Sequence, residues 1–334
     1  MRILISVLAL ALAALPLPAA KSLQIYFIDV EGGQATLIVS PSGQSMLVDA
    51  GWPGNDGRDS DRIVAAAKLA GVKQIDYLLM THYHLDHVGG IPDLVAKIPV
   101  VTLVDHGSNT ETDAGARKLS AAYDEVVAKG KHLVVKPGDR IPLKGVDIDV
   151  VAARGEKLST PLKGAGTPNA ACAAAQPKRD DPSENARSIG FVLKYGNFRF
   201  ADLADLTWNK ELELVCPNNL IGTADVYLIS HHGMDISNSP AILNALQPVV
   251  AIGNNAPNKG GAPGSFKVIR GTPGLKDLWQ LHLAPAAGDL NAPEQLVANP
   301  ETDCKGNYIK LAAESNGTFT VTNSRNGVTK MYKR

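Results

Sequence analysis

The sequence is poor in the features that nucleic-acid and membrane-surface proteins use. Aromatic residues make up 5% of its 334 residues, and the 33 Lys and Arg are balanced by 33 Asp and Glu. A chain without net charge creates no basic field for nucleic acid or an anionic membrane. Scarce aromatic residues also argue against a surface on which single-stranded bases stack. Composition therefore gives no support for nucleic acid as a general partner.

Cysteine is scarce as well. The chain has three, Cys172, Cys216 and Cys304, and none belongs to a Cys-x-x-Cys pair of the kind that binds zinc. We therefore do not count them as metal ligands. Any disulfide leaves one cysteine over, and the spacing does not choose among the three alternative bridges.

Long apolar runs are lacking in the body of the chain, but one stands at the N terminus. A positive charge at Arg2 precedes the apolar residues 3–17, and small residues end the run at 18–20. This layout predicts a secretory signal peptide over residues 1–20, since the run is short for a membrane span. We expect a secreted or periplasmic protein with no stable membrane span after cleavage, the alternative being a retained anchor. Export is compatible with one structural disulfide.

Residues 21–334 contain alternating strand and helix patterns without a repeat or a linker, which predicts a single domain. The strongest patterns predict strands at 23–30, 35–40, 45–49 and 75–80, helices at 58–70, 112–129 and 207–215, and a hairpin around Gly196–Asn197. Residues 153–184 are rich in Ala, Gly, Pro and Lys and have no period. We expect a long loop or a disordered insertion there.

The most informative segment is 81–90, directly after the apolar run 75–80. It places three imidazoles and one carboxylate within six residues, at His82, His84, Asp86 and His87. Neutral imidazole and carboxylate are ligands of zinc and related metals. The next residues, Gly89 and Gly90, predict a tight turn beside the cluster. A surface loop that is merely rich in histidine is a weaker interpretation, because the histidines elsewhere form no comparable cluster.

Four segments in this order resemble the signature of the metallo-β-lactamase-fold superfamily. They are Asp49-Ala50-Gly51, Thr81–Gly90, the segment from Gly196 to Leu206 with its two aspartates, and Ser230-His231-His232-Gly233. The resemblance implies an α/β fold, a four-layer αβ/βα sandwich of two mixed β-sheets flanked by helices. Asn185–Ser188 and Ser237–Pro240 resemble the hydrolase domain of the DNA-uptake competence protein and its secreted relatives.

The resemblance implies one or two Zn²⁺ ions, with Mn²⁺ as an alternative. The implied metal ligands are His82, His84, Asp86, His87, Asp205 and His231. The subgroup carries Asn185-x-x-Ser188 where many lactamases and lactonases have a third histidine, so the first metal site is expected to be weak. Asp202 remains an alternative to Asp205, and His232 an alternative to His231, because strand alternation would direct only one of two neighbours inward.

Several other residues are expected to orient a ligand or to contact substrate. They are Asp49, Asn185, His232, His106 and His282. His132 is not expected to be a ligand. Residues 259–261 and 266–270 are the C-terminal candidate for a basic patch, although a solvated loop is the simpler interpretation.

Metal centres of this kind lower the pKa of water towards neutrality, and Asp86 and Asp205 are the expected catalytic carboxylates. The resulting hypothesis is a secreted metal-dependent hydrolase of a small-molecule or ester substrate, with a phosphodiester or related ester favoured. The alternatives are a β-lactam or lactone hydrolase, and a metal-binding protein with a decayed site.

Overall fold

The computed structural model describes residues 22–301 and 304–334, so the predicted signal peptide lies outside the described residues. The strands in this part of the chain are β1 Leu23–Phe27, β2 Thr36–Val39, β3 Ser45–Val48, β4 Ile75–Leu79, β5 Val100–Asp105, β6 Lys131–Val134, β7 Asp147–Ala153, β8 Glu156–Lys157, β9 Gly190–Tyr195, β10 Phe198–Asp202, β11 Val226–Leu228, β12 Val250–Gly253, β13 Asp277–His282, β14 Val297–Asn299, β15 Ile309–Ala313, β16 Phe319–Asn323 and β17 Thr329–Tyr332. The α-helices are α1 Arg58–Leu69, α2 Leu85–Val88, α3 Ile91–Val95, α4 Ala114–Val127, α5 Trp208–Val215, α6 Pro240–Leu246 and α7 Pro263–Arg270.

The strands form two mixed sheets, as the resemblance implies. The first has the order β17-β16-β15-β1-β2-β3-β4-β5-β6, and the second β14-β13-β12-β11-β10-β9-β7-β8. Pairing is parallel from β3 to β6 and from β10 to β14, and antiparallel in the remaining part of each sheet. The expected α/β fold of two mixed sheets flanked by helices is confirmed.

Alternation along β1 divides the apolar core into two layers. Phe27 belongs to the layer between the sheets, where its ring centroid lies 5.8 Å from that of Phe200 on β10. Its neighbour Tyr26 belongs to the second layer, together with Ile63 of α1 and Leu94 of α3. The first sheet is therefore covered on one face by the second sheet and on the other by helices.

The parallel strands place several loops at one edge of the molecule. Val48 of β3 pairs with Leu79 of β4 in the first sheet, and Asp202 of β10 pairs with Leu228 of β11 in the second. Because parallel strands end at the same edge, the loops that follow them converge there. These loops carry the motifs that the sequence analysis singled out.

The predicted loop at 153–184 is mostly irregular, but it is not a disordered insertion. It contains the short strand β8 and a 3₁₀ turn at Ala170–Ala174. A disulfide joins Cys172 in this turn to Cys216 after α5, which leaves Cys304 free. The cross-link fixes a segment whose own sequence has no structural period.

The C-terminal third differs most from the sequence-based expectations. Residues 266–270, interpreted as part of a solvated loop, belong to α7, because Phe266 and Ile269 are buried on one face. None of the helices in residues 22–301 and 304–334 is long and apolar enough to cross a membrane.

Candidate metal centre

Four buried side chains converge where the loops of the two sheets meet. They are Asp86 and His87 of α2, Asp205 after β10, and His232 after β11, and one ligand atom from each lies within 4.8 Å of every other. His87 Nε2 is 3.3 Å from Asp205 Oδ2, and His232 Nε2 is 3.2 Å from Asp86 Oδ2. The first sheet thus supplies two of these groups and the second sheet the other two.

The polar atoms of this cluster fit a divalent metal. His87 Nε2, His232 Nε2 and Asp205 Oδ1 are buried without a hydrogen-bond partner in the protein. A buried polar atom without a partner costs roughly 1–3 kcal/mol, so such atoms normally signal an unseen partner. Nitrogen and carboxylate oxygen donors aimed at one point match the ligands of zinc and its neighbours.

Asp49 fixes the orientation of His87. Its Oδ2 lies 2.7 Å from His87 Nδ1, and its two oxygens also accept hydrogen bonds from the backbone N–H and the hydroxyl of Thr81. The Nδ1 proton is thereby held on the side away from the cluster, and Nε2 is left to face it. Asp49 lies where the sequence analysis expected a carboxylate that orients a ligand.

His82 and His84 form a less complete set. His82 Nε2 is buried without a hydrogen-bond partner and lies 3.9 Å from Asp205 Oδ2, whereas His84 Nε2 lies 3.3 Å from Glu111 Oε1. Asn185 Oδ1 is also buried without a partner. The ring centroid of His87 lies 4.1 Å from that of His82, but His87 belongs to the cluster around Asp205, and the described residues bring no further histidine to this pair.

The two adjacent histidines do not lie on a strand, which corrects the argument from strand alternation. His231 and His232 belong to a 3₁₀ turn, and both have left-handed backbone angles, with φ of 52° and 53°. As a result both imidazoles approach Asp205, each with Nε2 3.4 Å from Oδ2. His231 also lies 3.4 Å from the hydroxyl of Ser237 through Nδ1.

The segment that carries part of this cluster is similar to a known protein family. A family model described as metallo-beta-lactamase superfamily matches residues 28–171, which include His82, His84, Asp86 and His87. For residues 28–171 this match confirms the resemblance of the sequence motifs to the metallo-β-lactamase superfamily. The expectation of a metal-dependent hydrolase is thereby confirmed at the level of the class.

Two curated relatives match parts of this chain. ComE operon protein 3 of Bacillus subtilis (strain 168) is 28% identical over 185 residues, which are 54% of this chain and 20% of that protein. Ribonuclease Z of Bradyrhizobium sp. (strain ORS 278) is 33% identical over 93 residues, which are 27% of this chain and 29% of that protein. The matches thus span less than a third of either relative.

Among solved structures, the metallo-beta-lactamase fold protein YhfI from Bacillus subtilis is 12% identical. The superposition covers 77% of this chain and 95% of that chain, with a TM-score of 0.47.

The two aspartates at the end of β10 have different surroundings. Asp205 lies in the metal-ligand cluster, while Asp202 accepts hydrogen bonds from Gln34 Nε2 at 3.0 Å and the backbone N–H of Ala204 at 2.9 Å. Burial raises the pKa of Asp202 to about 7. Burial also raises the pKa of Asp205, but the charges of the neighbouring histidines, led by His231, outweigh burial and hold that pKa well below 3.8.

The pKa values of His82 and His87 are also shifted in opposite directions. Burial lowers the pKa of His82, which favours the neutral imidazole that metals bind. Burial also lowers the pKa of His87, but the carboxylates of Asp205 and Asp86 outweigh it and raise that pKa well above 6.5.

Three other histidines contact carboxylates outside the cluster. His106 Nε2 lies 3.0 Å from Glu184 Oε2, and His132 Nε2 lies 2.6 Å from Asp105 Oδ2. The first contact joins the residue after β5 to the 3₁₀ turn Glu184–Arg187, and the second joins β6 to the end of β5. His282 Nε2 lies 2.7 Å from Asp29 Oδ1 and lines the cavity described below.

Sequence reasoning missed Lys259 as a site residue. Its ammonium group contacts Asp86 Oδ2 and lies 4.9 Å from the ring centroid of Trp52. Gly260, which follows it, has a φ of 78°, and a Cβ there would come within 2.0 Å of the His232 carbonyl oxygen. The two glycines after Lys259 were the available signal, but nothing local shows that this segment returns to the cluster.

A cavity of about 660 Å³ opens beside the cluster. Its wall includes Lys259, Arg58, Trp52, His282 and Cys304. The cavity wall therefore carries two cationic side chains, Arg58 and Lys259, and the second of them contacts Asp86.

Proposed function

We propose that the protein is a metal-dependent hydrolase that cleaves phosphodiesters or related esters. One observation carries the proposal. Buried imidazoles and carboxylates with unpartnered polar atoms converge beside an open cavity whose wall carries Lys259 and Arg58. Convergent polar groups in a cleft are the general signature of a catalytic site.

In this proposal Asp86, His87, Asp205 and His232 hold one ion, with His231 beside Asp205. His82 and His84 are the ligands for a second, weaker ion, with Asn185 as their polar neighbour. The metal is Zn²⁺, and Mn²⁺ is the alternative. When bound, a divalent metal supplies an activated water and polarises the oxygen of the scissile group.

The side chains around the cluster have separate tasks. Asp86 and Asp205 have low pKa values and are therefore carboxylates at neutral pH. Either can orient the attacking water, accept its proton and pass that proton to the leaving group. Asp49 holds His87 in the tautomer that presents Nε2. Lys259 is placed to bind an anionic oxygen of the substrate.

The charge of the cavity favours a phosphodiester over a neutral ester. A phosphodiester carries a negative charge that Lys259 would balance, and Lys259 now contacts the carboxylate of Asp86 instead. The match to ribonuclease Z, although it covers 27% of the chain, points in the same direction. In residues 22–301 and 304–334 no histidine besides His87 lies against His82 and His84, which disfavours a typical β-lactamase.

We also propose that the protein is exported to the periplasm or secreted. The signal-peptide pattern at residues 1–20 and the Cys172–Cys216 disulfide support this location, since disulfides persist in oxidising compartments. N-terminal sequencing of the protein recovered from the periplasm or medium tests the proposal. A chain that keeps residues 1–20 in the cytoplasm would contradict it.

The activity is tested with bis(p-nitrophenyl) phosphate. The protein is stripped of metal, reloaded with zinc or manganese, and compared with Asp86→Ala and with the control Asp124→Ala on the exposed face of α4. We expect metal-dependent turnover in the wild type and the control, and none in Asp86→Ala. No turnover in any metal form would contradict phosphodiesterase activity and direct the search to lactams, lactones or a binding role.

A further inference from the structure

A second group of metal-ligating side chains lies on the far wall of the cavity. Asp29 follows β1, His282 ends β13, and Cys304 lies in the loop before β15. Asp29 Oδ1 is 2.7 Å from His282 Nε2, and Cys304 Sγ is 2.7 Å from Asp29 Oδ2. The three ligand atoms all lie within 4.8 Å of one another, and none belongs to the cluster around Asp205.

The orientation of His282 excludes a catalytic triad. In a triad the carboxylate and the nucleophile contact opposite nitrogens of the imidazole. Here both approach Nε2, with Cys304 Sγ at 3.9 Å, while Nδ1 is buried without a hydrogen-bond partner. Three donor atoms around one point describe a metal site rather than a relay.

The charges around the group balance with a divalent ion present. Arg62 donates to Asp29 Oδ2 at 3.0 Å and to Glu31 Oε1 at 3.2 Å, and its guanidinium lies 3.6 Å from Cys304 Sγ. The charges of Arg62 and a divalent ion sum to three. The carboxylates of Asp29 and Glu31 and the thiolate of Cys304 supply three negative charges. Arg62 would therefore stay in place when the ion binds.

We infer that Asp29, His282 and Cys304 form a second metal site that is selective for Zn²⁺ over Mn²⁺. Thiolate is a soft ligand that zinc binds well and manganese poorly. Binding breaks the Cys304–Asp29 and Asp29–His282 hydrogen bonds and forms three metal–ligand bonds. The thiol proton passes to solvent, and the proton that His282 Nε2 donates to Asp29 is exchanged for one on Nδ1, so that the neutral imidazole binds through Nε2. In tetrahedral zinc the ligand atoms lie roughly 3.4–3.6 Å apart, so only small side-chain movements are needed.

The fourth position of this site faces the cavity. His282 and Cys304 both line it, so water or substrate can complete the coordination. An ion there would also fasten the loop before β15 to the ends of β1 and β13. The cavity wall would then present a metal cation in addition to Lys259.

Cobalt spectroscopy separates this site from the cluster around Asp205, which contains no cysteine. Cys172 and Cys216 are joined in a disulfide, so a thiolate-to-cobalt charge-transfer band reports Cys304 alone. The oxidised full-length mature protein is titrated with Co²⁺. We expect a band whose final intensity corresponds to one cobalt–thiolate bond per chain, that Zn²⁺ removes and that excess Mn²⁺ leaves unchanged.

Variants then identify the ligands. We expect Cys304→Ser to abolish the band, and Asp29→Asn and His282→Gln to weaken cobalt binding at least about tenfold. Asp205→Asn, in the other cluster, should keep the band. Absence of the band in the folded wild type, or a band of unchanged affinity in both Asp29→Asn and His282→Gln, would overturn the proposal. Near-ultraviolet circular dichroism establishes that each variant compared is folded.

Discussion

At the scale of single residues, Asp202 and Asp205 show how surroundings divide the roles of two similar side chains. Both are buried and only three positions apart. Asp202 receives hydrogen bonds from Gln34 and the Ala204 backbone, whereas Asp205 faces imidazoles and has an unpartnered Oδ1. The first carboxyl is satisfied within the protein, and the second is available to a cation.

This contrast gives a matched pair of variants. Asp205→Asn should lower metal affinity and hydrolysis by on the order of 100-fold or more, because it removes a charged ligand from the cluster. Asp202→Asn should retain metal, since the pKa of Asp202 is raised to about 7 and an amide resembles its neutral form. Metal content after dialysis and hydrolysis rates measure both. Equal metal loss in the two variants would contradict the assignment.

A second prediction at this scale concerns Asp49, which touches the cluster only through His87. In Asp49→Asn the amide would face Nδ1 of His87 and favour the wrong tautomer, so zinc affinity should fall about 10–100-fold. Chelator competition measures the affinity.

Asp105→Asn is the control for this prediction. Asp105 is another buried carboxylate paired with a histidine, His132, away from the cluster. Its variant should lose stability but keep zinc affinity. An unchanged affinity in Asp49→Asn would show that His87 needs no such support.

The residues of the centre differ in how far the sequence could reveal them. His82, His84, Asp86 and His87 lie within six positions, so local spacing was enough to predict their proximity. Lys259 lies 173 positions from the carboxylate it contacts, and only the fold brings the two together. The same holds for Glu184, whose carboxylate accepts a hydrogen bond from the backbone N–H of Tyr83.

At the scale of elements, the turn with His231 and His232 depends on the segment after Lys259. Gly261 N donates to the His232 carbonyl at 2.8 Å, which brings the two backbones together at Gly260. Strand alternation does not apply to these histidines, because β11 ends at Leu228 and both histidines have left-handed backbone angles.

The close approach predicts that Gly260→Ala displaces this turn and weakens metal binding. The control is Gly274→Ala, because Gly274 has a similar φ of 86° but no atom within 4 Å of an added Cβ. Each variant should lose about 1–2 kcal/mol from backbone strain, and only Gly260→Ala should also lose zinc affinity. Thermal unfolding and zinc titration separate the two effects. Equal zinc affinity in both variants would show that the turn tolerates the displacement.

The 3₁₀ turn Glu184–Arg187 is held by its first side chain. Glu184 accepts hydrogen bonds from the Thr110 backbone N–H at 2.8 Å and from its hydroxyl, and lies 3.0 Å from His106 Nε2. Burial raises the pKa of Glu184, but the hydrogen bonds from His106 and Thr110 outweigh burial and lower that pKa to about 2. A folded-state pKa below the ordinary 4.5 means that the ionised group stabilises the fold.

The stabilisation by Glu184 should be complete above about pH 4.5 and disappear as the pH falls towards 2. Glu184→Gln should therefore be less stable than the wild type by about 1–3 kcal/mol at neutral pH, with the difference shrinking below pH 4.5. Denaturant unfolding across this range measures it, with the exposed Glu125→Gln on α4 as control. A difference that stays constant with pH would contradict the assigned role.

At the scale of the whole molecule, the sequence predicted the fold class but not the pairing of the C-terminal strands with β1. The N-terminal strands and the parallel strands have clear apolar patterns in the sequence. The motifs that follow these strands indicate their order along the chain. The strands β15 to β17 return to β1 through pairs such as Leu23 with Ala313, almost the full length of the chain apart. Pairing at such a separation is decided by the packed core, which no local pattern records.

The disulfide links the irregular segment 158–183 to the rest of the molecule, so its removal should destabilise the fold. Cys172 and Cys216 are 44 positions apart, and closing a loop of that length stabilises a fold by about 2–4 kcal/mol. The double variant Cys172→Ser/Cys216→Ser should therefore unfold at a lower temperature, by roughly 4–16 °C. Its zinc affinity should be unchanged, because neither cysteine contacts the cluster around Asp205. Cys304→Ser, which leaves the disulfide intact, is the control in calorimetry of the metal-free proteins. An unchanged unfolding temperature in the double variant would show that the packing of this segment, rather than the cross-link, holds it in place.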